Sequence, residues 1–95
     1  LDIVTDKGLC GIVGEFCYNH ADGDVDEDYI MEYCQKNGIG YLGWSWKGNS
    51  GGVEYLDIAN AWDGSVLSPD WGEKLINGVN GIRNTSVKCS IFTAE

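Results

Sequence analysis

A short, almost continuous apolar run is the first strong pattern along the chain. It covers residues 9–16, LCGIVGEF, and gives way to the polar loop NHADGD at residues 19–24. Apolar runs of this length without strict alternation are typical of strands that are covered on both faces. The pattern therefore predicts a buried strand with Glu15 near its carboxyl end.

The acidic residues around this loop predict the start of a helix. Asp24 and Glu27 stand three residues apart, which is the spacing of a capping box, and a helix dipole favours acids in the first turn. Asn37-Gly38 supplies a C-terminal stop. Between these signals, apolar residues recur at helical spacing at Ile30, Met31 and Cys34. We predict a helix over about residues 26–36 with Asp24 as its N-cap.

A second apolar run, IGYLGWSW at residues 39–46, breaks into the glycine-rich loop KGNSGG. Strand, helix and strand joined by short links predict a βαβ unit with parallel strands. Ser68-Pro69 then indicates the N-terminus of a second helix. A helical stripe, weakened by Gly78 and Gly81, continues that helix through Leu75, Ile76, Val79 and Ile82.

Two parallel strands and two helices do not make a complete sheet. Parallel sheets occur with both faces covered and contain more than two strands. The predicted elements would leave both outer strand edges unpaired and one face of the strands bare. We therefore expect the chain to be part of a larger α/β domain.

The charge of the chain argues against two classes of partner. Six basic and fifteen acidic residues give a formal net charge of −9. Because phosphate groups are bound through Lys and Arg, we expect neither nucleic acid nor an anionic membrane as a partner. A neutral polymer such as a polysaccharide would not be repelled by this field.

Cysteine and histidine usage bears on cross-links and metals. The four cysteines allow three disulfide pairings, and buried free thiols are an equally good alternative; they are Cys10, Cys17, Cys34 and Cys89. With no CxxC spacing and only one histidine, His20, we expect no zinc site. The run DGDVDED lacks the glycine and glutamate positions of an EF-hand, so helix capping explains its acids better. We predict no metal and no other cofactor.

Both predicted strands carry unusual residues at their carboxyl ends. The first strand delivers Glu15, with His20 in the loop that follows, and the second delivers Trp44 and Trp46. Since parallel strands end at the same edge, the carboxylate and an indole would share one rim. A carboxylate that acts on the anomeric carbon, next to an aromatic ring that packs on a pyranose, is the composition of a sugar site.

Each of these residues also has a simpler structural interpretation. Trp44 and Trp46 lie two residues apart and would face the same side of a strand, as a pair of core tryptophans does. His20 could be a loop residue that only forms hydrogen bonds. Glu15 could be an ordinary exposed residue at the end of a strand.

At these residues the chain resembles a known family. The blocks GEF, DGDVDED and LGWSWKGN, followed by YLDIANAW and WGEKLINGVNGI, resemble the C-terminal part of bacterial endo-β-1,4-mannanases of glycoside hydrolase family five. The resemblance covers about residues 9–92 and is specific, because the blocks have the same order and similar spacing. It implies that residues 1–95 are the C-terminal portion of a single catalytic domain. Their α/β fold would be strands seven and eight, with their helices, of a (β/α)8 TIM barrel.

The same resemblance implies roles for three residues. Glu15 matches the catalytic nucleophile, His20 matches an active-site histidine that binds substrate, and Trp44 matches the tryptophan that stacks under the sugar next to the scissile bond. Cys17 departs from the family, which usually has glycine there, and its thiol is expected to narrow the loop.

The activity implied is retaining endo-hydrolysis of β-1,4-mannosidic bonds by a secreted, extracellular enzyme that needs no cofactor. The family's acid/base glutamate follows an asparagine on the fourth strand and has no counterpart in this chain. The nearby carboxyls match no acid/base motif; they are Glu54, Asp57 and Asp63. We therefore expect the isolated chain to be inactive without the remainder of the catalytic barrel.

Two alternatives remain from the sequence. One is a family-five endo-β-1,4-glucanase on the same barrel. The other is a non-catalytic carbohydrate-binding module, which is usually an antiparallel sandwich.

Overall fold

A parallel pair of strands joined by a helix forms the centre of the fold. The computed structural model describes residues 1–92. Its elements, in chain order, are α1 (Asp2–Asp6), β1 (Ile12–Phe16), β2 (Asn19–His20), β3 (Gly23–Asp24), α2 (Glu27–Asn37), β4 (Gly40–Gly43), α3 (Gly72–Asn77) and α4 (Ile82–Thr85). Short 3₁₀ turns occupy Glu54–Leu56 and Ser90–Phe92.

The predicted βαβ unit is confirmed. β1 and β4 pair in parallel, with Val13 opposite Tyr41 and Phe16 opposite Gly43, and α2 is the connection between them. Both strands are shorter than the apolar runs predicted. The second strand ends at Gly43 because the backbone beyond it pairs with a different segment: the N–H of Ile58 donates to the carbonyl of Ser45 at 2.9 Å.

The prediction of Asp24 as the helix N-cap is wrong. The side chain of Asp26 caps α2 by accepting a hydrogen bond from the N–H of Tyr29 at 3.2 Å. Asp24 instead pairs with Asn19 in the two-stranded hairpin of β2 and β3, which the sequence pattern did not predict. The predicted C-terminal stop is confirmed, because Gly38 has the left-handed φ of 65° that ends a helix.

The predicted second helix is divided into two short ones. α3 ends at Asn77 with Gly78 as its C-cap, α4 begins after Gly81, and both glycines have extended backbone. The predicted N-terminus at Ser68-Pro69 is wrong, because α3 begins at Gly72 with Trp71 in the N-cap position. The hydroxyl of Ser68 still contacts the start of the helix, where it accepts a hydrogen bond from the N–H of Gly72 at 2.8 Å. A side chain at Gly72 would begin 1.9 Å from the carbonyl oxygen of Ile58, so only glycine fits this close contact.

The core lies between the strand pair and the helices. Its buried residues are Phe16, Cys17, Met31, Ile58, Trp71 and Leu75. Phe16 packs edge-to-face on Trp71, with ring centroids 5.3 Å apart. The four cysteines, all within residues 1–92, are free thiols, but only Cys17 and Cys34 are buried, while Cys10 and Cys89 are exposed. The alternative of buried free thiols therefore holds for two of the four.

One side of the fold is left uncovered, as the incomplete sheet predicted. An open groove of about 480 Å³ lies between α1 and α2, with mostly apolar walls that include Ile3, Val13 and Ile30. Ile3 is 71% exposed and Ile12, on β1, is 60% exposed. In the described part of the chain, no helix is long and apolar enough to cross a membrane.

Candidate active site

The carboxyl ends of β1 and β4 bring two of the predicted site residues to one rim. Glu15 is exposed and immediately precedes Phe16, the last residue of β1. Trp44 immediately follows β4, and its N–H donates to the carbonyl of Phe16 at 2.7 Å. Trp44 therefore forms this inter-strand contact, and Glu15 lies one residue before the contact on β1.

Hydrogen bonds hold both the indole N–H and the main chain of Trp44, while its ring remains accessible. The indole Nε1–H donates to Asn49 Oδ1 at 3.1 Å, and the main-chain carbonyl accepts from Trp71 Nε1 at 2.9 Å. The peptide bond to Ser45 is cis. Trp44 is 47% exposed, so it is not part of the core of the described residues.

The ring of Trp46 makes different contacts from the ring of Trp44. Its Nε1–H donates to the carbonyl of Trp62 at 3.0 Å, and its ring lies against Gly64. The prediction that both rings face one side assumed a strand through residue 46, whereas β4 ends at Gly43.

His20 lies in the hairpin that follows the carboxyl end of β1. Its Nδ1 is 3.8 Å from Asp22 Oδ2, and the imidazole is 62% exposed. This separation is longer than a hydrogen bond, so no hydrogen bond to Asp22 fixes the orientation of the imidazole. Such a side chain can still turn toward a ligand.

Cys17, two residues after Glu15, is buried. It is only 9% exposed and belongs to the core. Its thiol donates to the carbonyl of Asn19 at 2.5 Å, which ties the end of β1 to the hairpin. Glu15, two residues before Cys17, stays exposed.

A polar network under Trp44 was not visible in the sequence pattern. Asn49 donates to Asp57 Oδ1 twice, from Nδ2 at 2.7 Å and from its backbone N–H at 3.0 Å. Lys47 Nζ lies 3.6 Å from the other oxygen, Asp57 Oδ2. The hydrogen bonds from Asn49 are the largest cause that lowers the pKa of Asp57 below its ordinary value of 3.8, and the Lys47 charge adds to this effect.

The surroundings of the nearby carboxyl groups decide whether any of them can act as the acid/base. Asp57 is buried and ionised, so it holds no proton to donate to a leaving group. Hydrogen bonding from the side chain of Ser65 is the main cause that lowers the pKa of Asp63. The backbone N–H of Ser65, which donates to the Asp63 carboxylate at 2.9 Å, adds to this effect. Glu54 lies exposed at the start of a 3₁₀ turn. The described residues also contain no group of three metal-binding side chains close enough to hold an ion.

Known proteins are similar to this chain in sequence. A model of the family described as Cellulase (glycosyl hydrolase family 5) matches residues 1–50. A mannan endo-1,4-beta-mannosidase of Salipaludibacillus agaradhaerens is 45% identical over 95 residues, which is 100% of this chain and 30% of that protein.

Solved structures agree with the sequence comparisons. The β-mannanase from Thermomonospora fusca superimposes with a TM-score of 0.85 at 48% identity, over 96% of this chain and 30% of that one. A mannotriose complex of the same enzyme matches with a TM-score of 0.76, again at 48% identity, over 92% of this chain and 28% of that one.

The chain belongs to glycosyl hydrolase family 5. The predicted fold class is confirmed as well, since the structural relatives are TIM barrels of this family. The chain spans about 30% of the length of the relatives that it matches.

Proposed function

We propose that this chain forms part of the catalytic barrel of a retaining endo-β-1,4-mannanase. One observation carries the proposal: an exposed carboxylate, Glu15, and a half-exposed indole, Trp44, flank the same backbone contact at the carboxyl edge of two parallel strands. Ligands of α/β barrels bind at this edge. The mannan-degrading relatives and the mannotriose complex support a β-mannan as the substrate.

Each residue of the rim has a role in this proposal. Glu15 attacks the anomeric carbon and forms a covalent glycosyl-enzyme, which water then hydrolyses. Trp44 packs its ring against the apolar face of the sugar, and His20 binds a hydroxyl group of the substrate. No metal or other cofactor is required for this chemistry.

The second carboxyl group of the mechanism comes from elsewhere in the barrel. A retaining enzyme places its acid/base about 5–5.5 Å from the nucleophile. Neither Asp57, which is buried and ionised, nor Asp63, which is committed to Ser65, is suited to protonate a leaving group. We therefore propose that the 95 residues are inactive alone.

The proposal extends to the parent protein. Residues 1–95 would be the C-terminal portion of its single catalytic domain, with β1 and β4 as barrel strands seven and eight. The open apolar groove between α1 and α2 would receive the remainder of the barrel. Because mannan is a polymer found outside cells, the enzyme would be secreted. The net charge of −9 supports the expectation that nucleic acid and membranes are not partners.

A chimera tests this proposal directly. In the Salipaludibacillus agaradhaerens mannosidase, the segment that matches this chain is replaced by all 95 residues; we call this protein the mannosidase chimera. It should hydrolyse β-mannan, and Glu15→Gln should lower kcat by at least about a thousandfold. The matched control Glu54→Gln should keep the activity. An active chimera whose Glu15→Gln variant turns over normally would refute the role of Glu15.

The same chimera tests the endoglucanase alternative. A faster rate on carboxymethylcellulose than on β-mannan would favour the endoglucanase. The carbohydrate-binding module is disfavoured by the parallel pairing of β1 and β4 and by α2, which do not occur in an antiparallel sandwich.

A further inference from the structure

The side-chain amide of Asn49 lies between Trp44 and Asp57. Its Oδ1 accepts the indole N–H of Trp44 at 3.1 Å, and its Nδ2 donates to Asp57 Oδ1 at 2.7 Å. The indole ring is therefore connected to a buried carboxylate through a single amide group.

The carboxylate determines which way this amide points. An amide has one accepting end and one donating end, whereas an ionised carboxylate only accepts. The NH₂ end of Asn49 must therefore face Asp57, which leaves the oxygen for the indole N–H of Trp44. The hydroxyl of Ser45, 2.9 Å from Nδ2 and 3.2 Å from Oδ1, cannot make this choice because a hydroxyl both donates and accepts.

Two further contacts hold Asp57 in place. The backbone N–H of Asn49 also donates to Oδ1, at 3.0 Å, and Lys47 Nζ lies 3.6 Å from Oδ2. Only 9% of the residue is exposed, so water competes little for these interactions. A charge-assisted hydrogen bond in such a site is stronger than one between neutral groups.

We infer that Asp57 is a positioning residue for the substrate platform: its carboxylate orients the Asn49 amide, which in turn holds the Trp44 ring at the angle needed to stack on a sugar. The stacking role rests on the proposed function. The orientation of the ring does not, because it follows from the hydrogen bonds alone.

A double-mutant cycle in the mannosidase chimera tests the effect on activity. Asp57→Ala should lower kcat/KM on β-mannan by about tenfold or more, since small displacements at a reacting site are costly. Trp44→Phe keeps an aromatic ring but removes the N–H that Asn49 binds. In that background the Asp57→Ala effect should fall below about twofold, because coupled residues are non-additive.

Two variants complete the cycle. Asp63→Ala removes another carboxylate of the same loop, whose hydrogen bond is to Ser65, and it should leave kcat/KM unchanged. Asp57→Asn keeps the volume of the side chain but can present either end of an amide, so its effect should lie between those of wild type and Asp57→Ala. An equal loss for Asp57→Ala with and without the Trp44 N–H would overturn the inference.

An indole signal provides a test that does not require turnover. In the ¹⁵N-tryptophan-labelled chimera, the Nε1–H resonance of Trp44 is identified by its disappearance in Trp44→Phe. Asp57→Ala should shift this resonance and speed its exchange with water, whereas Asp63→Ala should do neither. An unchanged Trp44 resonance in Asp57→Ala would overturn the positioning role, even in an active enzyme. A wild-type chimera without activity would count against the proposed function only.

Discussion

Trp71 links the core to the rim of the candidate site. It is completely buried and packs on Phe16, while its indole N–H donates to the carbonyl of Trp44 at 2.9 Å. The same side chain therefore fills the core and anchors the backbone of the platform residue.

Replacing Trp71 with phenylalanine should be costly. The substitution removes buried volume and leaves the carbonyl of Trp44 without this donor, so we expect a loss of about 2 kcal/mol or more in the free energy of unfolding. Denaturant unfolding of the mannosidase chimera measures the loss. Trp62→Phe, at a side chain that is 68% exposed, is the control and should change the stability by less than about 0.5 kcal/mol. Similar losses for both variants would contradict the anchoring role.

The sequence predicted the location of some residues of the site but not the contacts of others. Glu15 and Trp44 could be placed on one rim because each is local to the end of a strand, and parallel strands end together. Asp57 could be named as a nearby carboxylate but not as the partner of Asn49. Their contact depends on the path of a loop across eight residues, and no periodicity encodes such a path.

At the scale of elements, α2 shows how a local signal can be misplaced by two residues. Asp24 and Asp26 both precede an acidic first turn, and the capping-box spacing favoured Asp24. The hairpin pairing of Asp24 with Asn19 removes it from the helix, and Asp26 then caps Tyr29. The hairpin depends on contacts between β2 and β3, which the apolar pattern does not report.

A matched pair of variants tests which aspartate caps α2. Asp26→Ala removes a side-chain cap and should lower the free energy of unfolding of the chimera by about 1 kcal/mol. Asp24→Ala removes no cap and should change it by less than about 0.5 kcal/mol. The reverse order of the two losses would restore Asp24 as the cap.

A lysine links two helices through ion pairs and makes the stability of the fold depend on pH in the alkaline range. Lys74 of α3 forms ion pairs with Glu27 and, at 3.2 Å, with Asp28 of α2. The hydrogen bond to Glu27 is the main cause that raises the pKa of Lys74 above its ordinary value of 10.5. A raised pKa in the folded state means that the stabilisation is fully present below 10.5 and is lost as the pH rises through the raised value.

Lys74→Gln should therefore be less stable than the unsubstituted chimera at neutral pH. The difference should stay constant to about pH 10 and shrink above it. Thermal unfolding between pH 7 and pH 12 measures this, with the exposed Lys36→Gln as the control. A difference that grows with alkaline pH would have the wrong sign for this ion pair.

At the scale of the whole molecule, the described chain is flat and open. Its extents are 42 × 37 × 20 Å, and its radius of gyration is 14.9 Å, compared with about 12 Å for a compact domain of this length. Large apolar side chains remain exposed on both the strand pair and the terminal segments, among them Ile12, Leu42, Val87 and Ile91. This openness was predictable, because two parallel strands cannot cover their own faces.

The isolated 95 residues should therefore unfold with poor cooperativity and show no turnover of β-mannan. Coincidence of the far-ultraviolet and near-ultraviolet circular dichroism transitions is the appropriate measurement. A single sharp transition in both would contradict the view that the chain needs the rest of a barrel. The mannosidase chimera, measured in parallel, should melt sharply.

The pairing of Phe16 with Gly43 has a consequence for how the site can change. A slip of one residue between β1 and β4 would move Trp44 about 3.3 Å along Glu15's strand, whereas a productive constellation tolerates only about 0.5 Å. Under the proposed function, substitutions that loosen this alignment would abolish hydrolysis abruptly, while replacements in the loop beyond Trp44 would alter sugar preference in small steps. Selection for a new polysaccharide should accordingly leave the strand alignment intact and act on that loop.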